Sequence, residues 1–254
     1  MRTHEAEENN LGLKVLNERW DRWFTCSLCE QGYHGVVHCA LGWACWKTYV
    51  GRAEADQTRN LAMNLLGNGL FEAKRHEDAL PVREAELAMK RRIGNPGSIL
   101  ATQNNLASTY HMLGRHDEAN RMLRDLYFGH SNIFGEEHRR TLIAASNYAT
   151  SLIQLKRFEE ARSLLRKTVP VARRVLGESH GLTLRMRWNY AEALYKDPGA
   201  TLDDLREAVT TLEDARPTAR RVLGGAHPTT GGIERTLRDA RAALRARDTP
   251  PGSS

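Results

Sequence analysis

Apolar side chains return every three or four positions over 142–155 and again over 158–176, with the polar pair Lys156-Arg157 between the two runs. That period marks the one-sided stripe of an amphipathic helix, so the pattern predicts two helices joined by a short turn. The layout then recurs. Gly135-Glu-Glu-His138, Gly177-Glu-Ser-His180 and Gly224-Gly-Ala-His227 lie 42 and 47 residues apart, each with a threonine three places past its histidine: Thr141, Thr183 and Thr230. Asn105-Leu-Ala, Asn147-Tyr-Ala and Asn189-Tyr-Ala follow at steps of 42, each succeeded by a small residue, Ala119, Ala161 or Ala208. Arg-Arg-Val-Leu-Gly occurs verbatim at 173–177 and 220–224. Gly177 fits a left-handed helix stop, and Thr183 stands where an N-cap side chain would accept from the next helix's free amides. Ala149 and Ala161 let the paired helices approach closely, with Leu152 and Leu165 filling the space beside them. A lone hairpin of this kind cannot bury its own apolar face, so neighbours must stack.

These residues resemble tetratricopeptide repeats. The 42-residue period and the Leu-Gly-x-x-His linker are similar to the repeats of kinesin light chains. The resemblance implies an all-α, right-handed superhelical solenoid of stacked helical hairpins. In its register the small residue of the first helix is Gly67, Ala107, Ala149 or Ala191, and that of the second is Ala79, Ala119, Ala161 or Ala208. Four repeats are expected over 56–228, at about 56–97, 98–140, 141–182 and 183–228. The first is one residue short in its second helix and has Leu65 in place of the asparagine, and the fourth carries an insertion over 196–201. A single helix over 229–247, with Arg238 at the small-residue position, reads as a cap, and 248–254 as a disordered tail. Residues 1–55 read as a degenerate hairpin from about Leu11 to Val50. Four of the five tryptophans fall there, at 20, 23, 43 and 46, as a hydrophobic plug or an aromatic ligand pocket.

The resemblance places Asn105, Asn147 and Asn189 on the inner helices of successive repeats. Adjacent helical layers lie about 10 Å apart, which is roughly three residues of extended chain at ~3.3 to 3.6 Å each. One carboxamide per layer offers both a donor and an acceptor to a peptide backbone. By family register, Asn104, Ser108, Ser146, Thr150, Trp188, Glu192 and Tyr195 line the same groove, a mixed polar and aromatic set. A purely structural role, in which the asparagines crosslink neighbouring helices, stays open beside the ladder.

Composition narrows the classes. Hydrophobic residues make up 41% of 254, with 37 basic against 31 acidic side chains and a formal charge of +6. The longest nearly apolar stretch, 39–46, falls far short of the roughly 18 residues that span a bilayer. The acidic start, Met1-Arg-Thr-His-Glu-Ala-Glu-Glu, lacks the layout of a secretory signal, so a cytoplasmic location is expected. Eight arginines against two acids fall between 216 and 247, making one end basic: a solvated face, or a contact for an acidic partner, RNA or an anionic surface.

Cys26, Cys29, His34 and Cys39 have the spacing of a CCHC zinc knuckle, a module that binds single-stranded RNA or DNA. Against this, Glu30 and Tyr33 stand where that module favours glycine, and no Lys or Arg lies between Arg22 and Lys47. Buried thiols packing on the tryptophans are the other reading. His138, His180 and His227 recur on loops too far apart to share one metal and read as helix-linker caps. No phosphate-cradling or hydrolase motif is present. The expectation is a non-catalytic scaffold or adaptor without a cofactor, whose groove binds an extended peptide of a partner protein. A zinc-knuckle RNA-binding protein using the cysteine cluster and the arginine-rich end is the alternative.

Overall fold

The computed structural model describes residues 20–94 and 96–248. The start of the expected terminal hairpin and nearly all of the expected tail lie outside the described residues. Ten α-helices lie wholly among the described residues, in chain order: α1 Gly35–Tyr49, α2 Gln57–Glu72, α3 His76–Ile93, α4 Pro96–Met112, α5 His116–Phe134, α6 Arg139–Gln154, α7 Phe158–Leu176, α8 Gly181–Tyr195, α9 Leu202–Leu223 and α10 Pro228–Asp248. The only extended pairing among the described residues is an antiparallel bridge between Thr25 and Gly32. The chain is an all-α solenoid of helical hairpins, and it divides into two compact units, Met1–Arg115 and His116–Ser254.

In the first unit α1 lies directly on α2. A Cβ at Gly69 would come within 2.8 Å of Cys39 Cα and His38 O, and one at Gly42 within 2.9 Å of Leu66 Cα. The two backbones therefore touch through glycines. Cys45, Ala62 and Leu65 are buried beneath Trp20, Trp23, Phe24, Trp46 and Tyr49. Three of the four clustered tryptophans thus pack as core. Trp43 instead edges an apolar cleft of about 240 Å³ with Trp46, Met63, Leu66, Pro81, Val82 and Ala85. Between α2, α3 and α4 the fully buried Glu86 takes bonds on Oε1 from Asn64 (3.1 Å), Lys90 (2.5 Å) and Thr102 (3.3 Å), and the Lys90 ammonium offsets its charge while Oε2 stays without a hydrogen bond. Arg83, pushed down to about 10 by burial, donates to Gly67 O and Asn68 Oδ1. Gly67 leaves room for that side chain, since a Cβ there would stand 3.3 Å from Arg83 Cγ.

In the second unit the first helices of successive hairpins, α6, α8 and α10, pack side by side, with α7 and α9 returning along them. One continuous core runs through all of them, from Leu142, Ala145 and Ala149 through Leu165, Leu184, Ala191, Leu194 and Leu212 to Ile233, Leu237 and Ala240. The alanines expected at the close approaches are buried to 1% exposure or less: Ala79 and Ala107 in the first unit and Ala119, Ala149, Ala161, Ala191 and Ala208 in the second.

Turns and linkers repeat in atomic detail. After α2, α4 and α6 one residue adopts positive φ, Lys74 (61°), Gly114 (73°) and Lys156 (58°), whereas Lys196 after α8, where the insertion begins, stays helical at −81°. The next amide in each case reaches back to the helix at 2.9 Å: Arg75 to Leu70 O, Arg115 to Tyr110 O and Arg157 to Leu152 O. Gly177 and Gly224 end α7 and α9 with φ near 90° and ψ near 160°, which differs from the expected left-handed stop and is open in practice only to glycine. The caps that follow fall to the histidines read as helix-linker caps, whereas Thr183 does not take the cap expected of it. His138, His180 and His227, not the threonines, hold the cap positions, each Nδ1 accepting at 3.1 Å from the amide two residues on. The threonine hydroxyls donate backward instead, Thr141 to Gly135 O (2.7 Å), Thr183 to Ala172 O (3.3 Å) and Thr230 to Ala219 O (3.4 Å). The insertion in the fourth repeat forms the turn 196–201. It closes in a capping box, in which the Asp204 amide donates to Thr201 Oγ1 (3.1 Å) and the Thr201 amide to Asp204 Oδ2 (2.8 Å).

Candidate functional site

The expected groove residues fall in both units. Asn104, Asn105 and Ser108 lie on α4 of the first, where both asparagines are half-buried and Ser108 is exposed with its hydroxyl on Asn104 O (3.0 Å). The others lie on α6 and α8 of the second. There the structure assembles a polar seam between neighbouring inner helices. Asn189 is only 4% exposed and donates to Thr150 Oγ1 at 2.9 Å and to Ser146 O at 3.5 Å. Arg185, one turn earlier on α8, donates to Ser146 Oγ at 3.1 Å and to Asn147 Oδ1 at 3.3 Å. Ser146 is fully buried and lies beneath the face, not on it. Trp188 crosses to the next layer, where its indole N–H donates to Thr236 Oγ1 at 2.9 Å and its ring fills the place a side chain on Gly232 would take. Glu192 receives an ion pair from Lys196. Burial, followed by the nearby Asp239 and Glu192 carboxylates, pushes the Tyr195 hydroxyl up to about 12, so it stays protonated.

Arg185 was not among the residues expected from sequence. Burial holds its pKa below the usual arginine value, and both of its hydrogen-bond partners are neutral. No carboxylate pairs with it among the described residues. Any cation half-removed from water is attracted to an anion brought beside it. The repeat register hides such a residue because it stands one helical turn from Asn189, at a position the pattern leaves unassigned.

The cysteine cluster does not form the metal site that its spacing suggested. Cys26 and Cys29 share the turn closed by the Thr25–Gly32 bridge, where the N–H groups of Leu28 and then Cys29 pull the Cys26 thiol below its usual value. Cys39 is buried in the α1–α2 seam against Leu66, Leu70 and Ala79, and His34 is exposed at the start of α1. No group of three or more His, Cys, Asp or Glu side chains that would hold a metal ion occurs among the described residues. The knuckle expectation fails because helix α1 begins at Gly35 and carries Cys39 away into the helix interface. Cys45 is likewise core, its thiol raised to about 12 by burial. No helix among the described residues is long and apolar enough to cross a membrane.

Comparison with known proteins gives the fold a family context. A family profile described as Tetratricopeptide repeat matches residues 58–127 and 133–197. No curated protein matches the chain by sequence. Among solved structures, the TPR-like repeats of a Podosopora anserina kinesin light chain protein are 23% identical, with a TM-score of 0.61 over 75% of this chain and 89% of that one. BtubC of P. vanneervenii is 15% identical, with a TM-score of 0.56 over 85% of this chain and 95% of that one. A Rap protein in complex with competence and sporulation factor is 14% identical, with a TM-score of 0.51 over 82% of this chain and 58% of that one.

Proposed function

Because the chain belongs to the tetratricopeptide repeat family, we propose that it is a non-catalytic cytoplasmic adaptor whose inner helices bind an extended peptide segment of a partner protein. The observation that carries this reading is the half-buried Arg185 guanidinium, braced by Ser146 and Asn147 and opposed by no carboxylate among the described residues. An acidic side chain of the peptide supplies the missing charge. Asn147 has a half-buried carboxamide, and Arg185 engages only its oxygen, so its NH₂ is left for a backbone carbonyl of the peptide. In the first unit, taken by itself, Asn105 offers a half-buried carboxamide of the same kind on α4. Asn189 meets the peptide only where its bond to Thr150 is exchanged, and otherwise holds α6 and α8 in register. A solved neighbour, the Rap protein, was captured with competence and sporulation factor, which supports a binding role for this kind of scaffold.

Selection of displayed random peptides on the full chain tests this. Peptides rich in Asp or Glu are the expected enrichment, with affinity falling by at least about tenfold, 1.4 kcal/mol, for Arg185→Gln and for Asn147→Ala. Selection of no peptide, or equal affinity of wild type and both variants, overturns the assignment.

A further inference from the structure

A second site lies away from the α6–α8 seam, in the groove between α9 and α10. A recess of about 180 Å³ opens there, lined by Arg216 and Arg220 of α9 and by Glu234, Leu237, Arg238 and Arg241 of α10. Helical spacing sets this up: 216 and 220 stand one turn apart on one helix face, and 234, 238 and 241 successive turns apart on the other. The recess therefore collects half of the arginine-rich stretch onto one spot.

The ion pairs leave an unbalanced remainder. Glu234 is held by Arg220, and Arg241 by Glu213. Arg216 and Arg238 face the same Glu234 carboxylate, which Arg220 already occupies, and have no ion-pair partner of their own among the described residues. Leu237, 2% exposed, forms an apolar floor beneath them. Two planar forks thus converge on a small opening with about two positive charges uncompensated. A carboxylate brings one charge and two oxygens. A phosphate group brings about −1.5 to −2 and three acceptor oxygens, enough to engage both forks bidentately. We propose that the recess between α9 and α10 binds a phosphate group, either of a free oligophosphate or at the end of a phosphorylated side chain. Glu234 acts as the gatekeeper of its strength, because it ties Arg220 away from the ligand.

Calorimetric titration of the full chain with pyrophosphate, and separately with a phosphoserine peptide, tests the site. One-to-one binding is expected, weakened by about tenfold or more in Arg216→Gln/Arg238→Gln. Arg221→Gln/Arg235→Gln carries the same loss of charge on exposed arginines outside the recess and shifts affinity less than about threefold. Glu234→Gln, which frees Arg220, tightens binding, a gain that a damaged fold does not mimic. Binding of pyrophosphate alone assigns a free oligophosphate, and binding of the peptide assigns a phosphorylated partner. No binding of either probe to wild type, or equal weakening by the two double variants, overturns the proposal. The displayed-peptide selection reads the inner face, so the two readings fail separately.

Discussion

Lys156 sits at a φ of 58° in a turn whose counterpart in another repeat uses Gly114, and the same 2.9 Å bond follows it. The left-handed region costs a residue with a Cβ about 1 to 2 kcal/mol, while glycine loses more chain entropy on folding. Lys156 is exposed, so its side chain adds little packing. The balance predicts that Lys156→Gly stabilises the chain by about 0.5 to 1 kcal/mol, read as a higher urea midpoint at unchanged slope. A lower midpoint refutes it. The sequence marks this turn by its polarity but not by its handedness, because lysine has no preference for positive φ. The caps were legible in part, since the recurring histidines read as helix-linker caps while Thr183 read as an N-cap. A threonine three places past the histidine has the right chemistry, yet the helix starts earlier, so the imidazole Nδ1 takes the free amide and the hydroxyl turns back to a carbonyl.

Among elements, α1 and α2 meet backbone against backbone. Gly69→Ala places a methyl 2.8 Å from Cys39 Cα and His38 O, backbone and near-backbone atoms that move only if the helices part. We expect a loss of about 1 to 3 kcal/mol, despite the helix propensity alanine adds. Gly67→Ala meets a flexible Arg83 side chain at 3.3 Å and should cost less. Thermal unfolding of both variants checks the order, and a reversed order refutes the backbone contact. Hairpins from 56 onward were legible because the apolar period and the small residues repeat in register. The site was legible less fully. Asn147 and Asn189 emerged from the repeat, whereas Arg185, the Glu86–Lys90 pair and the recess depend on contacts between helices that no single-helix pattern encodes. The zinc knuckle misled for the complementary reason: spacing counts residues, and a helix boundary between His34 and Cys39 sends the ligands in different directions.

Over the whole molecule, stacked repeats give stability as a sum of local terms, so cooperativity is weaker than in a globular domain of similar length. Trp20, Trp23, Trp43 and Trp46 report on the first compact unit and Trp188 on the second. With Trp188→Phe, fluorescence follows the first unit alone, while circular dichroism follows every helix. Urea transitions from the two probes are expected not to coincide, and superimposable curves refute this. The linkers carry a further consequence. At each Gly-x-x-His junction the histidine amide bonds to the glycine carbonyl at 3.4 Å, the imidazole caps the amide two residues on, and the threonine reaches no farther back than eleven residues. The backbone, imidazole and hydroxyl bonds of each joint are thus local, although Glu137 of the first also pairs with Arg174 of α7. A block cut at two such junctions would carry its own stop, cap and threonine tie with it, and would lose only the side-chain bonds that cross between repeats, such as Asn189 to Thr150.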